Sequence, residues 1–154
     1  MCSSDLGSAK RWPAESFGAL TARVVRDATV VLIGSRADAR AGDEVLTHAD
    51  GAEAVVNAMG QTTLPELAGV LALSRVLVTN DSGAMHLAAA VGTRVVAMFG
   101  PTKERETHPL GERSTVLTHD VWCRPCMLRE CPLDHACMRG ISVDAVAAAV
   151  EQSA

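Results

Sequence analysis

Asn80-Asp81-Ser82-Gly83 lies where a β-branched run ending in Val78-Thr79 passes without a linker into Ala84-Met85-His86-Leu87-Ala88-Ala89-Ala90. Such a strand-to-helix junction gathers free backbone N–H groups and the positive end of a helix dipole, so it suits an anionic group such as a diphosphate. Asp81 or Ser82 is placed to act as N-cap, and Gly83 lets a ligand come close to the backbone. Ser82 and His86, four residues apart, share the helical face that looks toward the turn. The same residues also serve ordinary helix capping, and His86 by itself reads as a core or surface histidine.

Two further stretches carry charge or turn chemistry. Ser8-Ala9-Lys10-Arg11-Trp12-Pro13 sets a lysine just ahead of a helix, where a compact ammonium can neutralise a phosphate; a solvated Lys-Arg pair is the plainer alternative. Phe99-Gly100-Pro101-Thr102 ends an apolar run with residues that turn a loop over a sheet edge. Cys123, Cys126, Cys131 and Cys137, with His135 nearby, have C-x2-C-x4-C-x5-C spacing. Free thiols are expected there, with a zinc site and a disulfide as alternatives.

The elements that must hold these residues alternate along the chain. Helices are expected over 13–26, 37–48, 64–73, 82–91 and 142–152, and strands over 29–33, 54–57, 75–79, 94–99 and 114–117. Residues 101–112 read as a polar loop, 122–140 as a compact Cys-rich insert, and Ile141 with Val146 as a hydrophobic staple around a Ser142 cap. Strands that are continuous apolar runs separated by helices predict a Rossmann-like α/β domain over 7–154. Its parallel sheet would carry helices on both faces and bind ligands at the carboxyl ends of the strands.

At 154 residues the chain is long enough for one domain with its own core. With 48% hydrophobic and 21% charged residues it is globular, and a formal charge of −4 argues against a general nucleic-acid binder. Only 3% of residues are aromatic, which disfavours a base-stacking platform. Residues 1–6 lack the pattern of a signal peptide and read as an anomalous leader, so a cytoplasmic location is expected.

Lys-Arg-Trp-Pro, Asn-Asp-Ser-Gly-Ala-Met-His-Leu-Ala-Ala-Ala and Phe-Gly-Pro-Thr, in this order and at these separations, resemble the ADP-heptose:lipopolysaccharide heptosyltransferases of glycosyltransferase family 9. The insert Cys-Arg-Pro-Cys-Met-Leu-Arg-Glu-Cys-Pro-Leu-Asp-His-Ala-Cys is similar to the tail of the heptosyltransferase II branch. The resemblance implies the C-terminal, donor-binding half of a two-domain GT-B enzyme. Lys10, Asp81, Ser82 and Gly83 would hold the diphosphate of ADP-heptose, Asp81 would also contact the sugar, and His86 would lie close by. Thr62 would fall on the adenine or ribose side. The lipopolysaccharide inner-core acceptor, and a carboxylate base for it, would belong to an N-terminal domain. Residues 1–6 stand where the family has its first strand and a Pro-Gly-Ala type turn, so this chain alone is expected to be inactive. No cofactor or metal is expected, and peripheral association with the inner membrane is compatible with such a role. The alternatives are a family 9 transferase using another nucleotide sugar and a non-catalytic nucleotide-binding or zinc-stabilised interaction domain.

Overall fold

A computed structural model describes residues 7–152, so the leader at 1–6 lies outside the described residues. A single 3-10 turn, Ser8–Lys10, precedes α1 (Ala14–Val24), β1 (Val30–Leu32), α2 (Ala39–Thr47), β2 (Val55–Asn57), α3 (Leu64–Leu73) and β3 (Val76–Asn80). Then come α4 (Gly83–Ala90), β4 (Arg94–Phe99), α5 (Glu104–Thr107), β5 (Ser114–Thr118), α6 (Ala136–Arg139) and α7 (Val143–Gln152). All strand pairs are parallel, β1 with β2 and β3 with β4 with β5.

Alternation along each strand sorts its side chains onto two cores. Leu32, Val76, Val78, Val96, Met98 and Leu117 face one cluster, which Phe17 and Leu20 of α1, Val45 of α2 and Val146 of α7 complete. Val31, Ile33, Leu77, Val95, Ala97, Phe99 and Val116 face the other, against Leu71 of α3 and Ala84, Met85 and Ala88 of α4. The strands therefore form one layer with helices on both faces, as expected. Among the described residues the ladder hydrogen bonds fall into two parallel groups, β1-β2 and β3-β4-β5.

Parallel crossovers are right-handed, and α2 and α4 lie on opposite faces, so the steps from β1 to β2 and from β3 to β4 run in opposite directions. In open α/β sheets ligands bind at the carboxyl ends of the strands, beside the place where such steps diverge. Asn80, the last residue of β3, marks that place.

Local chemistry explains most boundaries. Thr63 caps α3 in a capping box: its backbone N–H and hydroxyl both donate to the Glu66 carboxylate, at 2.8 and 2.7 Å. These two bonds, the backbone one first, hold the Glu66 carboxyl below its ordinary range. Ser142 Oγ accepts from Ala145 N at 3.1 Å, and Ile141 and Val146 are both buried in one cluster, which fits the expected staple. Pro13 stands at the N-cap of α1 rather than inside its first turn. The loop expected over 101–112 contains the single helical turn α5, too short and polar to show a hydrophobic period. No helix among the described residues is long and apolar enough to cross a membrane.

Candidate active site

The segment carrying Lys10 is fastened on both sides. Ala9, itself buried, donates its N–H to the Arg129 carbonyl at 3.1 Å, and the Trp12 N–H donates to Asn80 Oδ1 at 3.0 Å. Trp12 is 1% exposed, lies edge-on to Phe17 with centroids 4.9 Å apart, and donates its indole N–H to the Ile141 carbonyl at 2.9 Å. A core residue two positions downstream thus fixes where Lys10 emerges. Its Nζ donates to Asp81 Oδ2 at 2.7 Å, and Thr102 Oγ1 donates to the same oxygen at 2.8 Å. Asp81 N extends the β3–β4 ladder by donating to the Met98 carbonyl at 3.1 Å. Three separate stretches of sequence, around positions 10, 81 and 102, therefore meet at one carboxylate.

The N-cap of α4 is Ser82, not Asp81, and its side chain makes no capping bond. The buried Ser82 hydroxyl is engaged with Thr79 Oγ1 at 2.9 Å instead. The N-terminal turn of α4 consequently presents its backbone donors without a side-chain cap, the condition in which a helix terminus can take an anion. A Cβ built on Gly83 would meet no atom within 4 Å, so the glycine leaves open space rather than relieving a clash.

Lys10, Asp81, Ser82, Gly83 and His86 all line one cleft of about 240 Å³. Of the residues expected at the site, Thr62 stands apart. It is half-buried between β2 and the N-cap Thr63 of α3, at the same end of the strand layer but outside the lining of this cleft. Thr102, Lys103, Glu106, Thr107 and Met127 join the lining without having been assigned a role from sequence. Phe99-Gly100-Pro101-Thr102 was the available signal for Thr102. Nothing marked Met127, which arrives from the Cys-rich insert in a left-handed conformation (φ 59°).

That insert buttresses the cleft from behind. Arg124 Nε donates to the Gly100 carbonyl at 2.7 Å, its Nη2 pairs with Glu104 at 2.7 Å, and Met127 N donates to the Pro101 carbonyl at 2.9 Å. Cys123, Cys126, Cys131 and Cys137 line a second, smaller cavity of about 110 Å³ that also touches Ala9 and Pro101. Burial first, and then the neighbouring Cys123, Cys131 and Cys126, push the Cys137 thiol above its ordinary range. His135 lies at the N-cap of α6 and does not line this cavity. Among the described residues no three His, Cys, Asp or Glu side chains are placed to hold a metal ion. The expectation from the sequence is tested directly: protein purified without chelator should contain no stoichiometric zinc and titrate as free thiols. About one zinc per chain, lost together with structure, would show instead that metal staples the insert.

Comparison with known proteins identifies the family of the chain. The sequence model of glycosyltransferase family 9 (heptosyltransferase) matches residues 1–137. Lipooligosaccharide heptosyltransferase 2 of Campylobacter jejuni serotype O:2 is 33% identical over 147 residues, covering 93% of this chain and 46% of that protein. The corresponding protein of Haemophilus influenzae is 36% identical over 117 residues, covering 74% of this chain and 34% of the relative. The chain thus spans less than half the length of these curated relatives. The structure of E. coli ADP-heptose lps heptosyltransferase II superposes with a TM-score of 0.86 at 29% identity, over 99% of this chain and 44% of that one. Fold, family match and these relatives agree, and the chain belongs to glycosyltransferase family 9.

Proposed function

We propose that the protein transfers heptose from ADP-heptose to the lipopolysaccharide inner core, and that this chain is its C-terminal, donor-binding half. The observation that carries the reading is the uncapped N-terminus of α4 opening into the cleft that also holds the Lys10–Asp81 pair. The α4 dipole and the Lys10 ammonium stabilise the negative charge that develops on the ADP leaving group as the anomeric bond breaks. Asp81, oriented by Lys10 and Thr102, takes a sugar hydroxyl through its carboxylate, with His86 flanking the sugar. Thr62, at the carboxyl end of β2, meets the adenosine side. The acceptor and its activating base belong to a second domain, and the enzyme works at the cytoplasmic face of the inner membrane.

The reading is tested by purifying the full-length protein and the 154-residue chain side by side. The full-length protein is expected to transfer heptose from ADP-heptose to inner-core lipopolysaccharide lacking it, and the 154-residue chain to bind ADP without turnover. Transfer by the short chain would place the acceptor site within it. Donor binding without transfer by the full-length protein would favour a non-catalytic nucleotide-binding module.

A further inference from the structure

The charged side chains that line the cleft, among the described residues, are Lys10, Asp81, Lys103 and Glu106. Their formal charges cancel, yet a diphosphate needs uncompensated positive charge. Lys10 is poorly placed to supply all of it. It is bound at 2.7 Å to Asp81, the two side chains are 19% and 10% exposed, and Thr102 completes the arrangement from the other side. Breaking that pair on ligand entry would strand a partly buried carboxylate.

Lys103 is in a different situation. It stands at the N-cap of α5, 49% exposed, and pairs at 3.0 Å with Glu106, which is 62% exposed. Such a solvated i,i+3 pair is worth little and is exchanged cheaply. The backbone beneath it is held firmly, since Arg124, whose side chain is 8% exposed, joins Gly100 and Glu104. The lip of the cleft is thus fixed while two long side chains of opposite charge remain free to turn on it.

We propose that Lys103 and Glu106 form an exchangeable ion pair that admits the donor: Lys103 leaves Glu106 for a phosphate oxygen, and Glu106 turns out to solvent. This rests on the donor-site reading above and adds to it a second cation, released only when an anion arrives. Charge-assisted bonds to phosphate are strong compared with a surface ion pair, so the exchange is favourable. Glu106 acts as a negative competitor for the same ammonium, which makes the two residues opposite in effect.

Calorimetry on the full-length protein with ADP and with adenosine separates the possibilities. Lys103→Ala is expected to weaken ADP about five- to tenfold, the loss of one solvent-accessible charge-assisted bond, and to leave adenosine unchanged. Glu106→Gln is expected to tighten ADP about two- to threefold by freeing Lys103 and removing a repelling charge. If both variants shift ADP in the same direction, or neither shifts it while Lys10→Ala still weakens it, the exchange is refuted and the donor site stands. If Lys10→Ala also leaves ADP binding intact, the donor-site reading falls and the exchange falls with it.

Discussion

Asp81→Ala in the full-length protein is expected to leave ADP binding nearly unchanged while weakening ADP-heptose about ten- to a hundredfold, the equivalent of a lost hydrogen bond to a charged group at roughly 1.5–3 kcal/mol. Lys10→Ala is expected to weaken both ligands, because it removes charge from the diphosphate they share. The contrast follows from the position of Asp81. Its carboxylate accepts from Lys10 and Thr102, whereas the α4 N-terminus is begun by Ser82. Losing the carboxylate therefore spares the helix end and frees the Lys10 ammonium, so the phosphate site keeps its positive charge. Asp81→Asn, which retains an acceptor oxygen, should fall between wild type and Asp81→Ala. Calorimetry with both ligands, alongside thermal melting, reads the result. Equal weakening of ADP and ADP-heptose by Asp81→Ala at unchanged fold would remove the sugar-contact role.

The second large effect is on stability. Trp12→Ala removes a side chain that is 1% exposed, its edge-on contact with Phe17 and its bond to the Ile141 carbonyl. Emptying such a site costs about 3–5 kcal/mol, which for a chain of this size lowers Tm by roughly 6–20 °C. Trp12→Phe keeps a ring but leaves the Ile141 carbonyl without the indole donor, and is expected to lose less. Because the Trp12 N–H also fastens the Lys10 segment to Asn80, donor affinity should fall with core packing even at temperatures where the variant is folded. A melting temperature within 2–3 °C of wild type, on a scale where about 1 kcal/mol moves Tm by 2–4 °C, would show that Trp12 is not the anchor.

Much of this site was legible in the sequence because its parts are local signals. The run Asn80 to Ala90 declares a strand, a turn and a helix within a few residues, and β3 and α4 form where those signals place them. Lys10 was legible for a different reason: Trp12-Pro13 announced a helix start just behind it. The meeting of Lys10, Asp81 and Thr102 was not visible in spacing alone, since a hydrogen bond across 71 positions of sequence depends on how the layers stack. Of the two N-cap candidates Ser82 takes the position, because Asp81 is still held in the ladder by its bond to Met98. Lys103 and Glu106 carry no such signal, because a four-residue helix of charged side chains has no hydrophobic period.

The cleft draws on two groups of strands, β1-β2 and β3-β4-β5. Within a ladder, hydrogen bonds hold neighbouring strands at about 4.8 Å. The two groups also share their packing: Leu32 contributes with Val76 and Val78 to one core, and Ile33 with Leu77 to the other. Thr62 follows β2 on one part, while Asp81 and Ser82 follow β3 on the other. A nucleotide held as proposed, with its adenosine on the first part and its diphosphate on the second, would act as a splint. Its binding would add the ligand itself as a tie between the two groups of strands.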